Sequence, residues 1–248
     1  MAAPTAPGTA IERLAHDLVG RDASDGLTRE LVEWLAGSAR FRAFAVTYRD
    51  KIRKKLRGAT DDEARRDVRA ELRVAQLLLA DRRIELAFEA YGSGKAGPDF
   101  TVAFRGERPF NLEVTRLQRL PTSESFTRAL LAKLRQLPPS TPNTVLVAIE
   151  GDRAAALDVA AATRALRSRA DAKDEEGFAL AGLNGTRGFY QRYLRLGAVL
   201  VWCESGVGDA GAALWSNRSA NIALSERAVR ACVACLRASD DSVAMVRR

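Results

Sequence analysis

The stretch Gly97–Leu117, GPDFTVAFRGERPFNLEVTRL, carries the reading of this fold. Phe100, Val102 and Phe104 alternate with Asp99, Thr101 and Ala103. Beyond RGERP, Phe110, Leu112 and Val114 alternate with Asn111, Glu113 and Thr115. A period of two sends successive side chains to opposite faces, so the spacing predicts two strands joined by a turn. The large apolar residues share one face, and Asp99 and Glu113 both stand on the other. A hairpin symmetric about Glu107 sets Thr115 opposite Asp99 and Thr101 opposite Glu113. The two acids are then diagonal neighbours, about 7–8 Å apart.

Working outward, Ile84, Leu86, Phe88 and Ala90 alternate with Glu85, Ala87 and Glu89, which predicts an earlier strand. Before it, Ala64, Val68, Leu72, Ala75 and Leu79 form the apolar stripe of a helix over about 61–81, with Thr60 and Glu63 placed as its capping box. After the hairpin, a helix is predicted over about 122–136, opened by Thr122 or Ser123 and ended by Pro138, Pro139 and Pro142. NTVLVAIE then reads as a buried strand. The order is helix, strand, strand, strand, helix, strand, an α/β core.

Further on, the pattern predicts a helix at about 153–170, a charged loop DAKDEEG, the segment TRGFYQRYLRL, a strand GAVLVWCE, a short run AALWS and a last helix at about 225–236. Residues 10–60 read as helices. The expected organisation is a disordered tip and helical extension over 1–60 and an α/β core with C-terminal additions over 61–248.

The chain has 248 residues, 47% hydrophobic and 28% charged, which is globular composition. No apolar run approaches the length of a membrane span, and MAAPTAPGTA lacks the basic and apolar regions of a secretory leader. A cytoplasmic protein is expected, and the heavy Ala and Arg usage suits a bacterial source. The three cysteines are an odd number, which argues against a disulfide framework. Cys232 and Cys235 fall in an apolar helical pattern, where they read as core residues rather than a metal or redox pair. GSGKAG is not a phosphate-binding P-loop, because Ala96 stands where a hydroxyl is required. No GxSxG elbow is present, and the single histidine, His16, has no partner motif.

The net charge is +8, and residues 40–57 hold eight basic residues against one acid. Phe41, Phe44, Ala45, Tyr48, Ile52 and Leu56 recur there at helical spacing, so one amphipathic helix with a basic outer face is predicted. Clustered Lys and Arg neutralise phosphates and release counterions, and Arg49, Lys51, Arg53, Lys54, Lys55 and Arg57 are the candidate nucleic-acid contacts. TRGFYQRYLRL interleaves Arg187, Arg192 and Arg195 with Phe189, Tyr190 and Tyr193, either a stacking surface or a helix with an aromatic core side.

Glu71 adds a third acid, beside the apolar stripe of its helix. A carboxylate on a buried edge must be paired or bind a metal. Oxygen-rich sites without histidine suit Mg²⁺ or Mn²⁺. The same three acids also read singly as a turn residue, a solvated strand residue and an arginine partner.

This order of elements and acids resembles the PD-(D/E)xK nuclease superfamily, the restriction-endonuclease-like fold, over about residues 61–150. Pro98 and Asp99 match the family's Pro-Asp, Glu113 its Asp/Glu, and Glu71 the further acid many members carry on the first core helix. The resemblance implies that Glu71, Asp99 and Glu113 hold one or two divalent ions for cleaving phosphodiester bonds, in DNA ahead of RNA. It also implies a lysine two residues after the acid, where this chain has Thr115. Threonine brings no positive charge, and Arg116 should face the other side of the strand. Lys133, on the following helix, and Lys95, in the loop before Asp99, are the candidate replacements. The rival readings are a catalytically inactive nucleic-acid-binding module on the same fold and a protein–protein interaction domain whose acids are surface and salt-bridge residues.

Overall fold

The computed structural model describes residues 9–20, 26–91, 97–117, 122–149, 157–204 and 211–238. The expected disordered tip lies outside them, except for its last residues. The chain divides into two compact units, Met1–Ala80 and Asp81–Arg248.

The first unit is helical: α1 (Ala10–Val19), α2 (Gly26–Gly37), α3 (Ala39–Thr47), α4 (Arg49–Gly58) and α5 (Asp62–Leu78). Thr9 caps α1 through a full capping box with Glu12. Ala15, Leu31, Leu35, Phe41, Ala45, Ile52 and Leu56 are buried. The basic segment is two helices rather than one. Tyr48 leaves the helical region at φ −105°, ψ 19°, with its ring 5.0 Å from that of Phe44. The break turns α4 against α1, where Arg49 and Arg53 both reach Asp17. The cap of α5 is Asp61, accepting from the Ala64 amide, one residue beyond the expected Thr60. The division at 80/81 assigns α5 to the N-terminal unit, twenty residues beyond the boundary read from sequence. Its polar side explains the assignment: Arg69 pairs with Glu30, Lys55 with Glu71, Arg73 lies 5.4 Å from the Trp34 ring, and Arg40 donates to the Leu79 carbonyl.

The second unit is α/β. Its strands are β1 (Ile84–Phe88), β2 (Phe100–Phe104), β3 (Phe110–Leu117), β4 (Asn143–Ile149), β5 (Leu196–Cys203) and β6 (Ala212–Ser216). They form one six-stranded sheet in sequence order. β1, β2 and β3 run antiparallel, β3, β4 and β5 parallel, and β6 antiparallel to β5. Every residue of β4 and β5 is buried, as expected of strands covered on both faces.

Helix α6 (Ser123–Leu134), capped by Thr122, makes the crossover from β3 to β4. Helices α7 (Val159–Asp171), α8 (Glu175–Leu180) and α9 (Gly185–Tyr193) lie between β4 and β5 in sequence. Phe126, Leu130, Leu166, Phe178 and Phe189 from these four helices pack with Val145, Val147 and Val199 in one core. α8 occupies part of the segment expected as a charged loop. Asp174 accepts from the Gly177 amide and so starts a helix there, which lets Phe178 stack on Phe189 at 4.6 Å. Helix α10 (Glu226–Arg237) closes the unit, with Cys232 and Cys235 buried and in no disulfide. Strand β1 ends at Phe88, two residues short of the expected Ala90, because Glu89 takes φ 45°.

Candidate functional site

The site grows from the β2–β3 hairpin. Phe100 pairs with Leu112, Thr101 with Asn111 and Val102 with Phe110. The hairpin is therefore centred on Gly106, not Glu107, and the pairing is shifted by two residues from that expected. The cause is the turn: Gly106 adopts φ 83°, a left-handed conformation open to glycine and costly for Glu107, whose amide instead closes the turn onto the Phe104 carbonyl. One step beyond the last ladder pair, Asp99 stands directly across from Glu113.

The two acids are held by each other's strands. The Asp99 amide donates to Glu113 Oε2 at 3.2 Å, and the Val114 amide donates to Asp99 Oδ2 at 2.9 Å. Glu113 is 1% exposed and Asp99 7%. Glu113 faces the side of the sheet covered by α6, since its β4 partner Val145 belongs to that core. From α6, Lys133 places Nζ 2.5 Å from Glu113 Oε1. Leu130, Leu131 and Leu134 bury the apolar side of the helix, which leaves Lys133 half-buried at its flank.

Asp99, Glu113 and Lys133 are thus brought together. Thr115 lies two residues along β3 on the same face, half-buried, and Arg116 alternates to the other face. Lys95 lies outside the described residues. Glu71 belongs to the first unit, where it is buried and its Oε2 lies 2.5 Å from Lys55 Nζ. Among the described residues no group of three or more His, Cys, Asp or Glu side chains is arranged to hold a metal ion. At the hairpin itself, Asp99 and Glu113 bring two carboxylates together. That suits Mg²⁺, which keeps several waters and takes one or two carboxylates together with substrate phosphates.

Of the six candidate phosphate contacts, Arg49 and Arg53 are engaged with Asp17, and Lys55 with Glu71. The Arg49 guanidinium holds the Asp17 carboxyl below its usual range. Lys51 lies 5.7 Å from the Tyr48 ring, while Lys54 and Arg57 are exposed. The TRGFYQRYLRL segment is α9 with its aromatic side in the core: Phe189 and Tyr193 are buried. Arg192 donates to the Arg135 carbonyl and Arg195 to that of Leu137.

Sequence reasoning missed a polar network one step along the same face. Asn111 is fully buried; its Nδ2 lies 3.0 Å from Asn143 Oδ1 and 3.1 Å from the Tyr91 hydroxyl. Asn143 Nδ2 in turn donates to the carbonyls of Pro138, Thr141 and Arg195. The signal available was an asparagine at an inward strand position beside Glu113 and another opening an otherwise apolar strand. Each must find partners when buried.

Comparison of the chain with protein-family models, curated proteins and solved structures gives no match.

Proposed function

We propose that this chain is a divalent-metal-dependent nuclease with a restriction-endonuclease-like core, hydrolysing phosphodiester bonds in DNA or RNA. The observation that carries the reading is the convergence of Asp99, Glu113 and Lys133 on facing strands and the crossover helix. The β1–β2–β3 meander followed by α6 and the parallel strand β4 supports the same reading of the fold.

Asp99 and Glu113 would hold Mg²⁺ or Mn²⁺. Such an ion, when bound, polarises a phosphoryl oxygen and lowers the pKa of bound water. The protein's own groups set the stage for it. The amides of Asp99 and Val114 orient the two carboxylates by donating to Glu113 Oε2 and Asp99 Oδ2. Lys133 supplies the positive charge that Thr115 lacks, from the next helix instead of from the strand. Placed against Glu113, its ammonium can stabilise negative charge that develops on the scissile phosphate. Thr115 contributes a hydroxyl to the same face.

The test is cleavage of single- and double-stranded DNA and RNA with Mg²⁺ or Mn²⁺. Asp99→Ala should abolish cleavage, and Lys133→Gln should lower it about 100-fold or more, the scale of losing one preorganised electrostatic group. A folded wild type that cuts no substrate refutes catalysis. Thr115 favours one second reading, a silent module that binds nucleic acid in EDTA and never cleaves.

A further inference from the structure

We propose that Tyr91 is a base-stacking platform beside the Asp99–Glu113 pair, so that the strand held there is single. The proposal rests on the nucleic-acid reading above and names its substrate class.

Tyr91 is 39% exposed, and it is the one aromatic among the exposed large apolar side chains of the described residues. It is also fixed at both ends. At its root, a Cβ added to Gly97 would meet Tyr91 Cβ at 2.9 Å and Cγ at 3.3 Å, so the side chain sits directly on the Gly97 backbone. At its tip, the hydroxyl faces the Asn111 amide, 3.1 Å from Nδ2 and 3.3 Å from Oδ1. Asn111 is itself held by Asn143, and Thr101 Oγ1 lies 3.3 Å from Asn111 Oδ1. A side chain anchored twice yet exposed is an unusual use of an aromatic, because burial is its ordinary source of stability.

The anchors also place it. Gly97 precedes Asp99 by two residues, and Asn111 precedes Glu113 by two on the same face of β3. A two-residue step along a strand is about 7 Å, so the ring stands beside the carboxylates. Neither Asn111, Asn143 nor Thr101 is charged, so the network orients the ring and moves no proton. A rigid exposed ring loses little entropy on contact, and it stacks on any base whose face is open. Bases within a duplex have no open face, whereas those of a single strand do.

The test is fluorescence anisotropy of labelled oligo-dT and of a duplex of equal length in EDTA, so that binding is read without cleavage. Wild type is compared with Tyr91→Leu, Tyr91→Phe and Gly97→Ala, each checked for an unchanged circular dichroism spectrum. The expected result is tighter binding of the single strand by wild type. Tyr91→Leu should weaken it about tenfold or more, and Gly97→Ala should weaken it by displacing the ring. Tyr91→Phe, which keeps the ring, should stay within about threefold. Single-strand affinity of Tyr91→Leu within twofold of wild type overturns the platform and leaves the nuclease reading standing. Equal weakening on both oligonucleotides also overturns it. No affinity of folded wild type for either overturns the nucleic-acid reading itself, and the platform with it.

Discussion

Glu113 is the most demanding residue of the second unit. A carboxylate that buried is tolerated only when its charge is compensated and its oxygens are hydrogen-bonded; Lys133 compensates the charge at Oε1 and the Asp99 amide donates to Oε2. The two partners are unequal. Lys133 is partly exposed and can swing to water when Glu113 is lost, whereas Glu113 cannot leave the sheet when Lys133 is lost. Lys133→Met should therefore destabilise by about 3 kcal/mol, near the lower end of the cost of breaking a buried pair. For a protein of this size that lowers Tm by roughly 6–12 °C. Adding Glu113→Gln should restore much of the loss, because the uncompensated charge is gone. Additive losses in calorimetry of the two singles and the double would refute the coupling.

Among the elements, α4 departs furthest from its simple reading as a basic surface. A helical wheel shows six cations, but the fold uses three of them on Asp17 and Glu71. Lys54 and Arg57 are exposed, and under the proposed nucleic-acid reading they are the pair that would meet phosphate. Each phosphate contact on a single strand contributes about 0.7 to the slope of log affinity against log salt. Lys54→Ala with Arg57→Ala should thus flatten that slope by about 1.4. Replacing Arg49 and Arg53 should act first on thermal stability, since they hold α4 to α1. An unchanged slope in the first variant would remove α4 from the interface.

For the molecule as a whole, α10 carries a pH response. Burial pushes the Cys232 thiol up from 9.0 to about 12. The unfolded chain then loses this proton first as pH rises, so it binds fewer protons than the folded chain, and stability falls between about pH 9 and 12. Burial raises Tyr193 as well, and Asp171 raises Tyr190, so both act in the same direction. The urea midpoint should decline through this window, and Cys232→Ala should make the decline shallower. At neutral pH a thiol reagent should find no rapidly reacting cysteine in the native protein, since all three are buried, and three after unfolding. An identical alkaline decline in Cys232→Ala would show that its thiol contributes nothing.

The α/β class, five of the six strands and most of the helices were legible in the sequence, because periods of two and 3.6 are local consequences of which side chains reach a core; AALWS, the sixth strand, read only as a short run. The pairing of Asp99 across from Glu113 was not. It turned on which residue at the hairpin tip took a left-handed φ, and a shift of two residues preserves every facing pattern while changing every partner. The break at Tyr48 and the helix after Asp174 escaped the pattern for a related reason, since each is settled by what Phe44 and Phe178 pack against. By itself the sequence determined that Asp99 and Glu113 would share a face, because alternation depends on neighbours along the chain. Only the tertiary structure decided that Lys133 meets Glu113 and that Tyr91 rests on Asn111. Those contacts join residues twenty apart in the chain, and their positions follow from the hairpin register and the α6 crossover together.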